Sequence, residues 1–262
     1  MKISVCKLCD ETKELQWSHV IGKSIFKNIL RKNGAHYSIT TSLSEKKIFR
    51  SNDQWATYLL CKKCEELLNA RYENYSLWAL KNKQKGVKHQ YRDNYLMISG
   101  VNQYRLIMYI ISIFWRATKS DHRVFKHSIT VDEIDNYLKK CILGESEIDS
   151  KVISVRVSKL ACERNYYTQD ILENVITNLV PRTSHEKGFS YFMIFSGYYF
   201  EILIGCLEPH QRFDLGILRK NKRILKVPYV DFLSIPEVFN YWKETKEIYE
   251  NDKENLKYLL KH

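Results

Sequence analysis

Two Cys-x-x-Cys pairs, Cys6-Lys7-Leu8-Cys9 and Cys61-Lys62-Lys63-Cys64, constrain this chain more than any other feature. Four thiolates in two knuckles make a tetrahedral sulfur cage, a ligand set that suits zinc above other common ions. Cys6, Cys9, Cys61 and Cys64 therefore read as ligands of a structural zinc. The remaining cysteines, Cys141, Cys162 and Cys206, are isolated. An odd total of 7 with tight pairs argues for metal rather than a disulfide framework. Cys141, in a helix-like segment, and Cys206, in a strand-like one, read as inert core thiols.

The 262 residues suffice for one large domain or two modest ones. With 44% hydrophobic and 27% charged residues, 4 Pro and 9 Gly, the composition excludes disordered and collagen-like chains. No apolar run approaches the ~20 residues of a membrane span. Cys6 follows too soon after Met1 for a removable signal peptide, so the expected location is cytoplasmic and no membrane partner is expected. The net charge is +12, and its placement is uneven. Residues 1–90 carry 17 Lys/Arg against 8 Asp/Glu, whereas residues 91–262 carry 25 against 22. Basic charge gathered around the metal motif points to a polyanion partner, nucleic acid first among them.

Along the chain, a knuckle and polar turn lead into an alternating segment, Leu15 to Ile21, that holds His19. An amphipathic helix follows from Ser24 to Arg31, ended by Asn33-Gly34. Residues 35–58 read as a polar insert with weak strand signals. From Cys64 a helix runs to about Lys83. Knuckle, hairpin and a second knuckle opening a helix outline a treble-clef zinc finger, with Trp17 and Trp55 read as its local core ahead of base-stacking platforms. The charged stretch 81–93 reads as a boundary, giving a module over 1–90 and a second domain over 91–262. In that second part the pattern predicts an all-apolar buried helix from Tyr104 to Arg116. It also predicts helices over Val131–Leu143, capped by Ser128 or Thr130, and Thr168–Leu179, and another from Pro236. Strands are expected at Lys151–Val157 and Ile224–Val230, with a hairpin of Phe189–Phe195 and Tyr198–Leu207 around Ser196-Gly197. The fold class is α+β.

Glu65, Asn69 and Glu73 stand at i, i+4 and i+8 on the helix that opens at the second knuckle, and so share one face. A His on the hairpin facing such oxygens makes a plausible divalent-metal hydrolysis site. Arg116, at the end of the apolar helix, reads as a structural cap or ion pair.

C-x-x-C, a dipeptide ending in His, and Leu59-Leu60-Cys61-x-x-Cys64 opening a helix together resemble the zinc-stapled branch of the HNH, or ββα-metal, endonucleases. The resemblance covers about 70–75 residues. It implies that His19 is the general base, that Asn69 takes the last motif position, and that Asn52 takes the middle one. Glu65, where the family often has His, and Asn69 would hold Mg²⁺ or Mn²⁺. Ser18 stands where the family often has a metal-binding Asp. Ser18-His19-Val20-Ile21, Cys-x-x-Cys-Glu and Ser112-Ile113-Phe114-Trp115-Arg116-Ala117 also resemble a bacterial group of HNH-like proteins found near defence or mobile elements.

The leading expectation is thus an endonuclease acting on DNA, with residues 91–262 binding substrate or a partner protein in a defence complex. Two rivals stand beside it. One is a non-catalytic nucleic-acid-binding zinc protein; the other is a zinc-module adaptor that docks proteins.

Overall fold

The computed structural model describes residues 2–32, 38–42, 47–51, 53–126, 128, 130–163, 167–182, 188–205 and 207–239. The expectations placed on Asn33-Gly34, Asn52, Cys206 and most of the helix from Pro236 lie outside the described residues. The chain is a mixed α+β protein with a four-cysteine cluster near its N-terminus.

Strands β1 (Lys2–Val5), β2 (Thr12–His19) and β5 (Ala56–Cys61) form an antiparallel sheet in the order β1-β2-β5. Helix α1 (Lys23–Lys32) follows β2, and a small hairpin of β3 (Ser38–Ser42) and β4 (Lys47–Ser51) precedes β5. β5 ends in the second knuckle, from which a continuous helical rod departs: α2 (Lys62–Leu68), a π-turn (Asn69–Glu73) and α3 (Asn74–Leu80).

The π-turn has a visible support. An i→i+5 turn leaves helical carbonyls without their usual amide donors. Here Arg105 donates from Nε to the Arg71 carbonyl at 2.6 Å and from Nη2 to the Ala70 carbonyl at 2.8 Å. The donor comes from α4 (Gln103–Lys119), capped by the Asn102 side chain on the Arg105 amide. α4 is apolar nearly all round and buried over most of its length, as its sequence predicts. Each buried Ile, Leu or Phe contributes about 1.5–3 kcal/mol, so this helix is the main anchor of the core.

The other sheet has seven strands in the order β6-β7-β12-β8-β11-β10-β9. These are β6 (Lys88–Tyr91), β7 (Tyr95–Ser99), β8 (Ile153–Ala161), β9 (Val180–Arg182), β10 (Phe189–Phe195), β11 (Tyr198–Ile204) and β12 (Ile224–Asp231). All neighbours are antiparallel except β12 and β8. The β10–β11 turn uses Ser196 at φ 54° and Gly197 at φ 73°, the left-handed pair that a two-residue hairpin needs.

Helix α5 (Asp132–Leu143) ends at Gly144, φ 86°, but neither Ser128 nor Thr130 caps it, because its N-cap is Val131. The helix expected over 168–179 is shorter. α6 covers only Gln169–Glu173, since Thr177 bridges to Ile194 and draws the chain back to the sheet. One apolar core runs unbroken from Cys6 and Leu8, through α4, to Leu225 and Val227.

Candidate functional site

The two knuckles meet as the spacing predicts. The sulfurs of Cys6, Cys9, Cys61 and Cys64 all lie within 4.8 Å of one another, with Cys9 and Cys61 at 3.9 Å. A tetrahedral zinc with bonds of about 2.3 Å separates its sulfurs by roughly 3.8 Å, so the cage fits this ion with small side-chain adjustments. Main-chain bonds shape it: the Cys61 amide donates to Cys6 Sγ at 3.3 Å, and the Asp10 amide to the Cys6 carbonyl at 2.9 Å. The first knuckle turns at Asp10, φ 57°. Cys6, Cys61 and Cys64 are buried, and burial drives the Cys64 thiol well above its ordinary range. A coordinated cation would let the four sulfurs stand together as thiolates.

His19 closes β2 beside this staple. Its Nε2 donates to Gln54 Oε1 at 3.2 Å, which leaves the lone pair on Nδ1. Burial lowers the imidazole pKa below its ordinary value, with Lys23 and Arg116 pushing the same way and Gln54 and Glu65 opposing. The ring is therefore neutral at neutral pH. Its main chain is fixed from 97 residues away: Arg116 Nη1 donates to the His19 carbonyl at 2.7 Å. Arg116 is itself buried, with Nε on the Ser112 carbonyl and Nη2 3.6 Å from Glu73 Oε2.

Glu73 lies over Gly22, where an added Cβ would come within 2.1 Å of its Oε1. Glu73 stands at the end of the π-turn and faces inward to this ion pair. Glu65 is half-buried; its Oε1 is wholly buried and has no hydrogen-bond partner among the described residues. Asn69 is exposed on the same rod.

Ser18, one residue before His19, has a structural task. Its hydroxyl accepts from the Leu60 amide at 3.1 Å, and the side chain is buried. Ahead of β5, Asp53 accepts from the Trp55 amide at 3.0 Å and from His122 Nε2 at 2.8 Å. That clamp ties the segment bearing Gln54 to the turn that follows α4. Trp55 is core, packed edge-on against Phe26 and Phe125. Trp17 departs from expectation: it is 58% exposed. It projects from the sheet face away from Ser18, and its edge-on partner, Tyr58, is exposed too.

Gln54 and Asp53 carry no motif that would mark them in advance, and Arg116, expected as a cap or ion pair, does pair with Glu73 but gives no local sign of its hold on His19. Gln54 is a lone amide in a polar insert, and only the folded register brings it to His19. No helix among the described residues is long and apolar enough to cross a membrane. No protein-family model, curated protein or solved structure matches this chain.

Proposed function

We propose that this chain is a metal-dependent endonuclease that hydrolyses phosphodiester bonds of nucleic acid, DNA first, on a zinc-stapled ββα module of treble-clef outline. The observation that carries this reading is the setting of His19: a neutral imidazole whose Nε2 is held by Gln54, whose main chain is held by Arg116, and which feels the carboxylate of Glu65. A base needs an unprotonated nitrogen, and Nδ1 is the one that the Nε2–Gln54 bond leaves free. In the reaction His19 Nδ1 takes a proton from water as the water oxygen bonds to phosphorus and the ester oxygen departs with its electron pair. Gln54 keeps the ring from turning. Glu65 favours the imidazolium that results. A divalent ion such as Mg²⁺ or Mn²⁺, held by the unpartnered Glu65 oxygen with Asn69 at the rim, would supply positive charge for the phosphate. The zinc of Cys6, Cys9, Cys61 and Cys64 holds the frame.

A second reading, a binder without catalysis, is favoured by Ser18. The position before the base is committed to the Leu60 amide and offers no metal ligand. Plasmid cleavage in Mg²⁺ and in Mn²⁺, run beside His19→Ala, separates the two. Nicking that needs both the ion and His19 supports the nuclease. Retardation of the plasmid on a gel without nicking, equal in the two proteins, supports the binder.

A further inference from the structure

Trp17 and Tyr58 are cross-strand partners on β2 and β5, with ring centroids 4.9 Å apart and planes at 75°. Both are exposed, Trp17 at 58% and Tyr58 at 38%. Lys2, on β1, places its Nζ 5.7 Å from the centre of the Tyr58 ring. The pairing is regular from Trp17–Tyr58 through Ser18–Thr57 to His19–Ala56. Trp17 and His19 therefore project from the same face of β2, about 7 Å apart along the strand. An open indole costs solvation and contributes nothing to the core, whereas Trp55, from the same module, is wholly inside.

We propose that this face is a stacking platform for unpaired bases, so that the ligand of the His19 site is single-stranded nucleic acid or the unpaired stretch of a longer one. The inference rests on the nuclease reading only for the role of His19. The platform itself follows from the aromatic pair, the lysine and the charge. In a duplex the faces of the bases are already covered by their neighbours; only an unpaired base can lie on an exposed indole. Lys2, with a surplus of nine basic residues over positions 1–90, supplies the charge for the backbone. A base stacked at Trp17 or Tyr58 sets the flanking phosphate beside His19, which accounts for the platform and the base sharing one face.

The test is anisotropy of a fluorescein-labelled 12-nucleotide strand and of the same sequence as duplex, bound to zinc-loaded His19→Ala protein so that nothing is cut. Tighter binding of the single strand is expected. Trp17→Ala and Tyr58→Ala should each weaken it by about tenfold, as loss of a stacking partner does, while Trp17→Phe retains most of the affinity. Equal affinity of the alanine variants and the parent would overturn the proposal. So would a preference for duplex that the variants share, or a dimer in sedimentation that Trp17→Ala abolishes, since a second copy would then cover the face. The nuclease reading is scored separately. Wild-type protein that cleaves nothing yet binds single strands through Trp17 leaves the platform standing and removes the enzyme. Cleavage with binding indifferent to Trp17 and Tyr58 does the reverse.

Discussion

Arg116 Nη1 donates to the carbonyl of His19 at 2.7 Å, so the central buried helix holds the strand end that carries His19. The same guanidinium faces Glu73 at 3.6 Å, with the two side chains only 2% and 17% exposed. Replacing Arg116 with Met removes the clamp and strands a half-buried carboxylate. A loss of about 3 kcal/mol is expected, the usual cost of breaking a buried pair from one side. Urea unfolding measures it, and adding Glu73→Gln should restore part. A loss under about 1 kcal/mol would show that the pair holds little.

Gly22→Ala attacks the same joint from the other side. Its new methyl would sit 2.1 Å from Glu73 Oε1, too close for any carbon–oxygen contact. Overpacking of this order costs about 1–3 kcal/mol. Because the clash is with one side chain, Glu73→Ala in the same protein should cancel much of it. Strict additivity of the two changes would contradict the contact.

Acid should weaken both fold and catalysis. Burial holds the imidazoles of His19 and His89 below their ordinary value of 6.5. As pH falls through 6.5 the unfolded chain takes up protons there that the native protein does not, so stability present above 6.5 declines below it until the native pKa values are passed. Cleavage that uses neutral His19 should be flat above pH 6.5, with its acid limb lying lower. Thermal melts and a pH–rate profile read the two effects. A rate that rises steeply through pH 7–8 would exclude His19 as a base with a depressed pKa.

Gln54→Leu removes the acceptor on His19 Nε2 while leaving the Asp53–His122 clamp in place. One neutral hydrogen bond is worth about 1 kcal/mol, so turnover should fall about five- to tenfold with the melting temperature little changed. A variant as active as the parent would mean that the ring is held by other contacts.

Zinc removal is the severest perturbation. Cys61→Ser, or a strong chelator, should abolish zinc content by elemental analysis and collapse the β1-β2-β5 sheet, since metal binding and folding are coupled in a site of this kind. Because Cys6, Leu8 and Leu60 belong to the same core as α4, the loss should spread to the tyrosine and tryptophan environments of the second sheet, visible in near-ultraviolet dichroism. A variant with full zinc content and an unchanged spectrum would refute the four-sulfur cage.

What could be read in advance was local. Cys-x-x-Cys spacing, the apolar run of α4 and the Ser196-Gly197 turn each signal themselves within a few residues, and each is present where its residues predict. The site is legible only at its centre, His19. Gln54 reaches it through strand register, and Arg116 from a different element 97 residues on. The π-turn at Asn69–Glu73 leaves no trace in hydrophobic periodicity, and Glu73 at its end pairs inward with Arg116. α6 stops early for a comparable reason: the edge of a sheet outbids the helical tendency of 174–179. Trp17 shows the limit of composition, because an aromatic residue in a small module is core or surface according to the parity of its strand.

The place of β12 in the large sheet bears on how the chain is made. β12 lies between β7 and β8, antiparallel to one and parallel to the other. Until Ile224–Asp231 has been synthesised, the sheet exists as two pieces, each with an open inner edge. The edges of β7 and β8 must wait for a partner encoded well downstream of both, near the end of the described chain. Unpaired strands of this kind are templates for association between molecules, and pairing over such sequence distances is slow. A ribosome stalled before residue 224 would therefore display an incomplete sheet, and the nascent protein would depend on its speed of completion, or on a chaperone, to avoid aggregation.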